Sequence, residues 1–347
     1  MADRNDEGAL PGAPADDPAD TPAFDPALLI DVAEAYLFDE PASLTQAQVA
    51  EAAGVDLDTA NAMWRHLGFS ERADDEVAFT PADVEALRIT QRLTELGIVE
   101  PERMPQFVRS MGRSFSRLAD WQTRVLLSSL AEKDGLDDPP LEVLVEVIPM
   151  VEQVQGYIWR RHLLATASRM ALRGVSDRST VSTAVGFVDI VGYTSRSRQM
   201  TTRALGDMVE WFERVTTDLV VAHGGQVVKT IGDEVLYTVD DPVRAGHLAL
   251  SLAERSQSDE RFPEVRVGTA HGPVLARLGD VFGATVNLAA RLTSIARPGR
   301  VLADGELAKL LQAHPEEFRL RRTRRTSVKG YEHLEPWSVK RPRESRD

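Results

Sequence analysis

Lys229-Thr230-Ile231-Gly232-Asp233-Glu234 reads as the tip of a β-hairpin. Gln226–Thr230 and Glu234–Val239 are short β-rich runs, and Ile231-Gly232-Asp233 between them carries the turn residues. Upstream, Thr183–Asp189 reads as an apolar strand, and Ala204–Ala222 as an amphipathic helix. Downstream the spacing predicts a helix over Pro242–Gln257, strands over Val265–Ala270 and Pro273–Leu278, a helix over Ala284–Ala296 and a strand over Arg300–Leu302. A short helix at Glu306–Leu311 and edge strands near Phe318–Arg322 and Pro336–Lys340 complete the pattern. This βααββαβ order predicts an α+β, ferredoxin-like sheet with its helices on one face.

The 347-residue chain is long enough for two or three domains. It has no cysteine, which excludes disulfides and thiolate metal sites. No apolar run of 18 residues predicts a membrane span, and Met1–Pro26 lacks the pattern of a signal peptide. The expected location is cytoplasmic. Charge is uneven. Residues 1–165 hold 31 acidic and 13 basic residues, net −18, while residues 166–347 hold 23 and 27, net +4. The acidic half disfavours nucleic acid as a partner, and the mildly basic half suits a small polyanion.

The first half reads as helical after an acidic tail, 1–26, expected to be disordered. Leu28, Leu29, Val32, Ala33 and Tyr36 fit one helical face. Ser43 or Thr45 caps a second helix whose inner side takes Val49 and Ala52, and Gly54 ends it. Asp58 or Thr59 caps a third, and Thr80-Pro81 starts a fourth through Val84, Leu87, Leu93 and Leu96. Leu44–Ile98 resembles the helix-turn-helix of MerR-like regulators. Asp56 and Asp58 on the second helix and the acidic Glu71–Glu76 segment oppose a DNA-reading role. Asp134–Pro140 reads as a break, and Leu141–Arg173 as a long helix with a kink at Pro149. The expected domains are 27–140 (helix-turn-helix-like portion 44–98), a helical linker 141–178, and the strand-rich domain 179–347.

Asp189 closes its strand and Asp233 sits at the hairpin tip. Antiparallel strands can bring the two carboxylates together as hard oxygen donors for Mg²⁺ or Mn²⁺. Either alone reads better as a strand-end cap or a turn residue. Gly192-Tyr193-Thr194 enters a helix, where free N–H groups suit phosphate. Asn287 and Arg291 lie four apart on one helix and share a face.

Three blocks, Phe187–Thr194, Lys229–Glu234 and Asp280–Arg291, occur in the order of the active-site segments of class III nucleotidyl cyclases, which this part of the chain resembles. The resemblance implies an adenylate cyclase converting ATP to 3′,5′-cyclic AMP and pyrophosphate. It implies two divalent cations, Mg²⁺ or Mn²⁺, held by Asp189, Asp233 and the Ile190 carbonyl. Lys229 and Asp280 would read adenine: Lys donates to N1, and the carboxylate accepts from N6. Asn287 would orient the ribose, Arg291 would stabilise the reacting phosphate, and Gly192, Thr194 and Lys329 would contact phosphates. The family builds each site between two subunits, so a homodimer is implied. His271-Gly272-Pro273 reaches Asp280 after fewer residues than usual, which resembles the subclass often designated IIIc. The whole layout is similar to actinobacterial and mycobacterial cyclases with an autoinhibitory helical N-terminal domain, some of them acid-responsive. A helix-turn-helix transcription regulator and a catalytically silent cyclase-fold scaffold are the alternatives.

Overall fold

The computed structural model describes residues 37–38, 40–131, 141–172, 180–324, 326–328 and 331–342. The acidic tail, the helical face at 28–36, the Asp134–Pro140 break and Lys329 lie outside them. The chain divides into two compact units, Met1–Leu164 and Ala165–Asp347.

In the first unit, α1 (Gln46–Ala53) is capped by Thr45 in a reciprocal pair with Gln48, and left-handed Gly54 closes it. The cap of α2 (Leu57–Leu67) is Asp56, whose carboxylate accepts from the Thr59 N–H at 2.8 Å. The expected caps, Asp58 and Thr59, fall inside the helix. Helix α3 (Pro81–Glu95) begins at the Thr80-Pro81 signal. Val49, Ala50, Ala53, Ala60, Trp64, Val84 and Leu87 form its small core. Ala53 faces inward and Ala52 is exposed, because helical rotation puts position 53, four after Val49, on that side. Leu96 lies past the end of α3 and is exposed. Two long helices follow, α4 (Met104–Ala131) and α5 (Leu141–Leu172), the latter with Pro149 inside it.

The second unit is a sheet in the order β2-β3-β1-β4-β6-β10-β7, with β5 on β4. These are β1 (Thr180–Ile190), β2 (Gln226–Ile231), β3 (Glu234–Val239), β4 (Val265–Arg277), β5 (Asp280–Phe282), β6 (Val301–Ala303), β7 (Arg319–Arg322) and β10 (Trp337–Lys340). A separate hairpin pairs β8 (Thr326–Val328) with β9 (Tyr331–Leu334). Only β7 of the two expected edge strands is at an edge, since β10 lies between β6 and β7. The two expected strands around Gly272-Pro273 are one strand, β4. Pro273 lies between the stretches that pair with β6 and β5, where one side of β4 has no neighbouring strand.

The helices are α6 (Tyr193–Ser197), α7 (Thr202–Ala222), α8 (Pro242–Glu254), α9 (Ala284–Ile295) and α10 (Gly305–Leu311). They cover both faces of the sheet rather than one. Ala184, Val188 and Ile190 of β1 pack with α7, α8 and α10, while Val185 and Phe187 pack with α9. The unbroken apolar run of β1 is the signature of a strand buried on both sides. Gly268 lets α9 lie directly on β4: a Cβ there would sit 2.1 Å from the Thr293 nitrogen.

Candidate active site

The antiparallel register sets Asp189 opposite Glu234 on β3 and opposite Arg266 on β4. The β2–β3 turn passes through Gly232, whose φ of 64° suits glycine. It is stitched to the end of β1 by the Ile190 N–H, which donates to the Asp233 carbonyl at 3.1 Å. The two aspartates therefore meet. Asp189 is buried, and Arg266 Nε donates to its carboxylate. Arg266 also donates to the Ser294 carbonyl of α9 at 3.2 Å.

Burial raises the Asp189 pKa above the usual carboxylate range; Arg266 opposes the rise and the Asp233 charge adds to it. Burial, then the charges of Asp189 and Asp233, push Glu234 up to about 7. Three crowded carboxyl groups against one guanidinium leave an excess of negative charge when ionised. An oxygen-only set of this kind fits a hard divalent cation. Reading motifs alone missed Arg266 and passed over Glu234 as part of the hairpin. The available signal was a charged residue between two buried valines, Val265 and Val267, at the start of a strand.

Lys229 and Asp280, 51 positions apart, form an ion pair at 2.5 Å. Strand β4 turns into β5 through Leu278 (φ 53°) and Gly279 (φ 77°), with Arg277 opposite Asp280. Two left-handed residues in a two-residue loop make the tightest hairpin connection available. That turn delivers Asp280 to Lys229.

Asn287 and Arg291 lie on the exposed face of α9. The buried face of the same helix carries Thr285, Ala289, Leu292 and Thr293. Among the described residues, neither side chain makes a hydrogen bond or ion pair with Asp189, Asp233, Lys229 or Asp280. Gly192 (φ 68°) caps α6, and Thr194 is exposed in its first turn. The structure thus brings together Asp189 with Asp233 and Lys229 with Asp280, and leaves Asn287 and Arg291 facing outward.

The sequence pattern of the adenylate and guanylate cyclase catalytic domain matches residues 175–341. An adenylate cyclase of Streptomyces coelicolor is 44% identical over 77% of this chain and 71% of its own length. One from Glutamicibacter nicotianae is 38% identical over 84% of this chain and 77% of its own length. A pH-sensitive adenylate cyclase of Mycobacterium tuberculosis is 28% identical over 80% and 72%, respectively. No described helix is long and apolar enough to cross a membrane.

Proposed function

The chain belongs to the class III adenylate cyclases, and from that premise we propose how its residues perform the reaction. The ribose 3′-hydroxyl of ATP gives up its proton to solvent as its oxygen attacks the α-phosphorus; the bond from that phosphorus to the oxygen bridging the β-phosphate breaks, and 3′,5′-cyclic AMP and pyrophosphate leave. Asp189, Asp233 and the Ile190 carbonyl would hold two divalent cations, Mg²⁺ or Mn²⁺. When bound, such cations neutralise phosphate charge and acidify the 3′-hydroxyl. Arg266 opposes the rise in the Asp189 pKa and orients its carboxylate. Lys229 donates to adenine N1 and Asp280 accepts from N6. Asn287 fixes the ribose, and Arg291 meets the charge that develops on the pentavalent phosphate with a planar fork. The free N–H groups in the first turn of α6, from Gly192 to Thr194, take phosphate oxygens. Lys329 is assigned to the terminal phosphates on its place in the sequence alone.

One observation carries this reading: residues so distant in sequence as Lys229 and Asp280 meet as the donor–acceptor pair that adenine requires. The outward-facing Asn287 and Arg291 support a homodimer in which each site takes Asp189 and Asp233 from one chain and Lys229, Asp280, Asn287 and Arg291 from the other. The test is cyclic nucleotide formation by purified protein with Mn²⁺ and either ATP or GTP. Cyclic AMP from ATP, with GTP a poor substrate, is expected. Preference for GTP would overturn the base-reading assignment.

The same reading makes 27–140 a regulatory domain, 141–178 a helical linker and 179–347 the catalytic domain, working in the cytoplasm where ATP is available. The regulatory part inhibits at neutral pH and releases as pH falls. In its favour, burial and the charges of Arg109 on α4 and Arg65 on α2 lower the His66 pKa. A histidine with a lowered folded pKa contributes stability above its unfolded value of about 6.5. That stability is lost as pH falls through the folded value. Acid therefore weakens the packing of α2 against α4.

A further inference from the structure

After α10, His314-Pro315-Glu316-Glu317-Phe318 makes one tight turn. The His314 carbonyl accepts from both the Glu317 N–H and the Phe318 N–H, each at 3.0 Å. This folds both glutamates back over the histidine. Phe318 anchors the turn in the core beside Leu311 and Gly246. The donor atoms of His314, Glu316 and Glu317 all lie within 4.8 Å of one another. His314 Nδ1 is 3.4 Å from Glu317 Oε1 and 3.7 Å from Glu316 Oε1. Ligands about 2.0–2.1 Å from a tetrahedral zinc ion are separated by about 3.3 Å. The other Glu317 oxygen is held by His247 Nε2 at 2.5 Å, and the His247 ring packs on Phe318 with centroids 4.6 Å apart.

We infer that His314 Nδ1, Glu316 and Glu317 form a site for Zn²⁺ or a similar borderline cation, separate from the catalytic cations. An imidazole beside two carboxylates selects such a cation over Mg²⁺, which takes oxygen donors and keeps its waters. His247 is the orienting group: its N–H fixes one oxygen of Glu317 so that the other faces the ion. Glu316 is exposed and His314 and Glu317 are partly so, which leaves room for water to complete the coordination. The bound ion stiffens the turn before β7, which Glu317 already joins to α8 through His247. Two glutamates adjacent in sequence would otherwise repel across this turn.

The test titrates Zn²⁺ alone into the full-length chain by calorimetry in excess Mg²⁺, which competes at oxygen-only sites. One Zn²⁺ per chain above any background is expected, and it disappears in His314→Ala and in His314→Gln. His247→Ala keeps the stoichiometry and weakens binding by about 10–100-fold. Zinc raises the unfolding temperature of the parent chain more than that of His314→Gln, and circular dichroism verifies that the variants fold. Equal zinc stoichiometry and affinity in the parent and both His314 variants would overturn the site, as would no zinc binding by the parent. Neither result depends on whether the chain turns over ATP.

Discussion

The end of β1 and the exposed face of α9 are built on opposite plans. At the end of β1, Asp189, Asp233, Glu234 and Arg266 are locked together by register, burial and an ion pair within a single chain. On α9, Asn287 and Arg291 point away from the helix's own packing face. A buried polar cluster has to satisfy itself, whereas an exposed Asn and Arg lose little by standing free. In the proposed dimer the first region is complete within one chain, and the second faces the other chain. The helical unit also leaves large side chains of α4 and α5 exposed, including Trp121 at 61% and Trp159 at 63%.

The sharpest way to break the contrast is at the buried end. Asp189→Asn or Asp233→Asn is expected to lower turnover by about 1,000-fold or more, since each removes charge at the reacting phosphate. Steady-state cyclic AMP formation measures it, and turnover within tenfold of the parent would remove the metal assignment. Next is the ion pair between β2 and β5. Lys229→Glu places two carboxylates together and is expected to cost about 100-fold in kcat/KM for ATP. Asp280→Ala is expected to cost about tenfold and to narrow the preference over GTP. An unchanged ATP-to-GTP ratio in Asp280→Ala would dissociate this residue from base recognition.

Arg266 probes the buried end without touching substrate. Arg266→Met leaves Asp189 buried without its counter-charge, so the metal-free protein should lose about 1–3 kcal/mol of stability. Mn²⁺ should recover part of the loss in a thermal melt, and a melt insensitive to both changes would mean that the pair is idle. The smallest expected effect is regulatory. His66→Leu removes the group whose protonation folding resists, so the proposed acid activation of the full chain should move to lower pH or vanish. The pH profile, normalised to its maximum and compared with a 165–347 fragment, checks this; a profile identical to the parent's would clear His66 of the role.

Much of this was legible in the chain before any coordinates. The hairpin around Gly232 and the α9 spacing of Asn287 and Arg291 rest on local periodicity, which a sequence displays directly. Thr45 and Thr80 were readable as caps for the same reason, although Asp56 was missed because three candidate caps crowd residues 56–59. What was hidden depends on pairing between distant segments. The second covered face of the sheet required knowing that β1 lies between β3 and β4. The partnership of Arg266 with Asp189 required the β1–β4 register, which no local pattern encodes. The β5 strand was lost because Leu278 is an unusual residue for a left-handed turn.

The central claim, that one site draws on two chains, is tested most directly by mixing two inactive variants. Asp189→Ala spoils the buried end and Asn287→Ala the exposed face. Each alone is expected to be nearly silent. Co-refolded or co-expressed with proven subunit exchange, they should regain activity, because one of the two interfaces in the heterodimer then carries no substitution. Activity approaching one quarter of the parent's is the statistical expectation for random pairing of equal amounts, in which about half the dimers are mixed and each has one intact site. Verified heterodimers with no more activity than either variant alone would contradict the shared site.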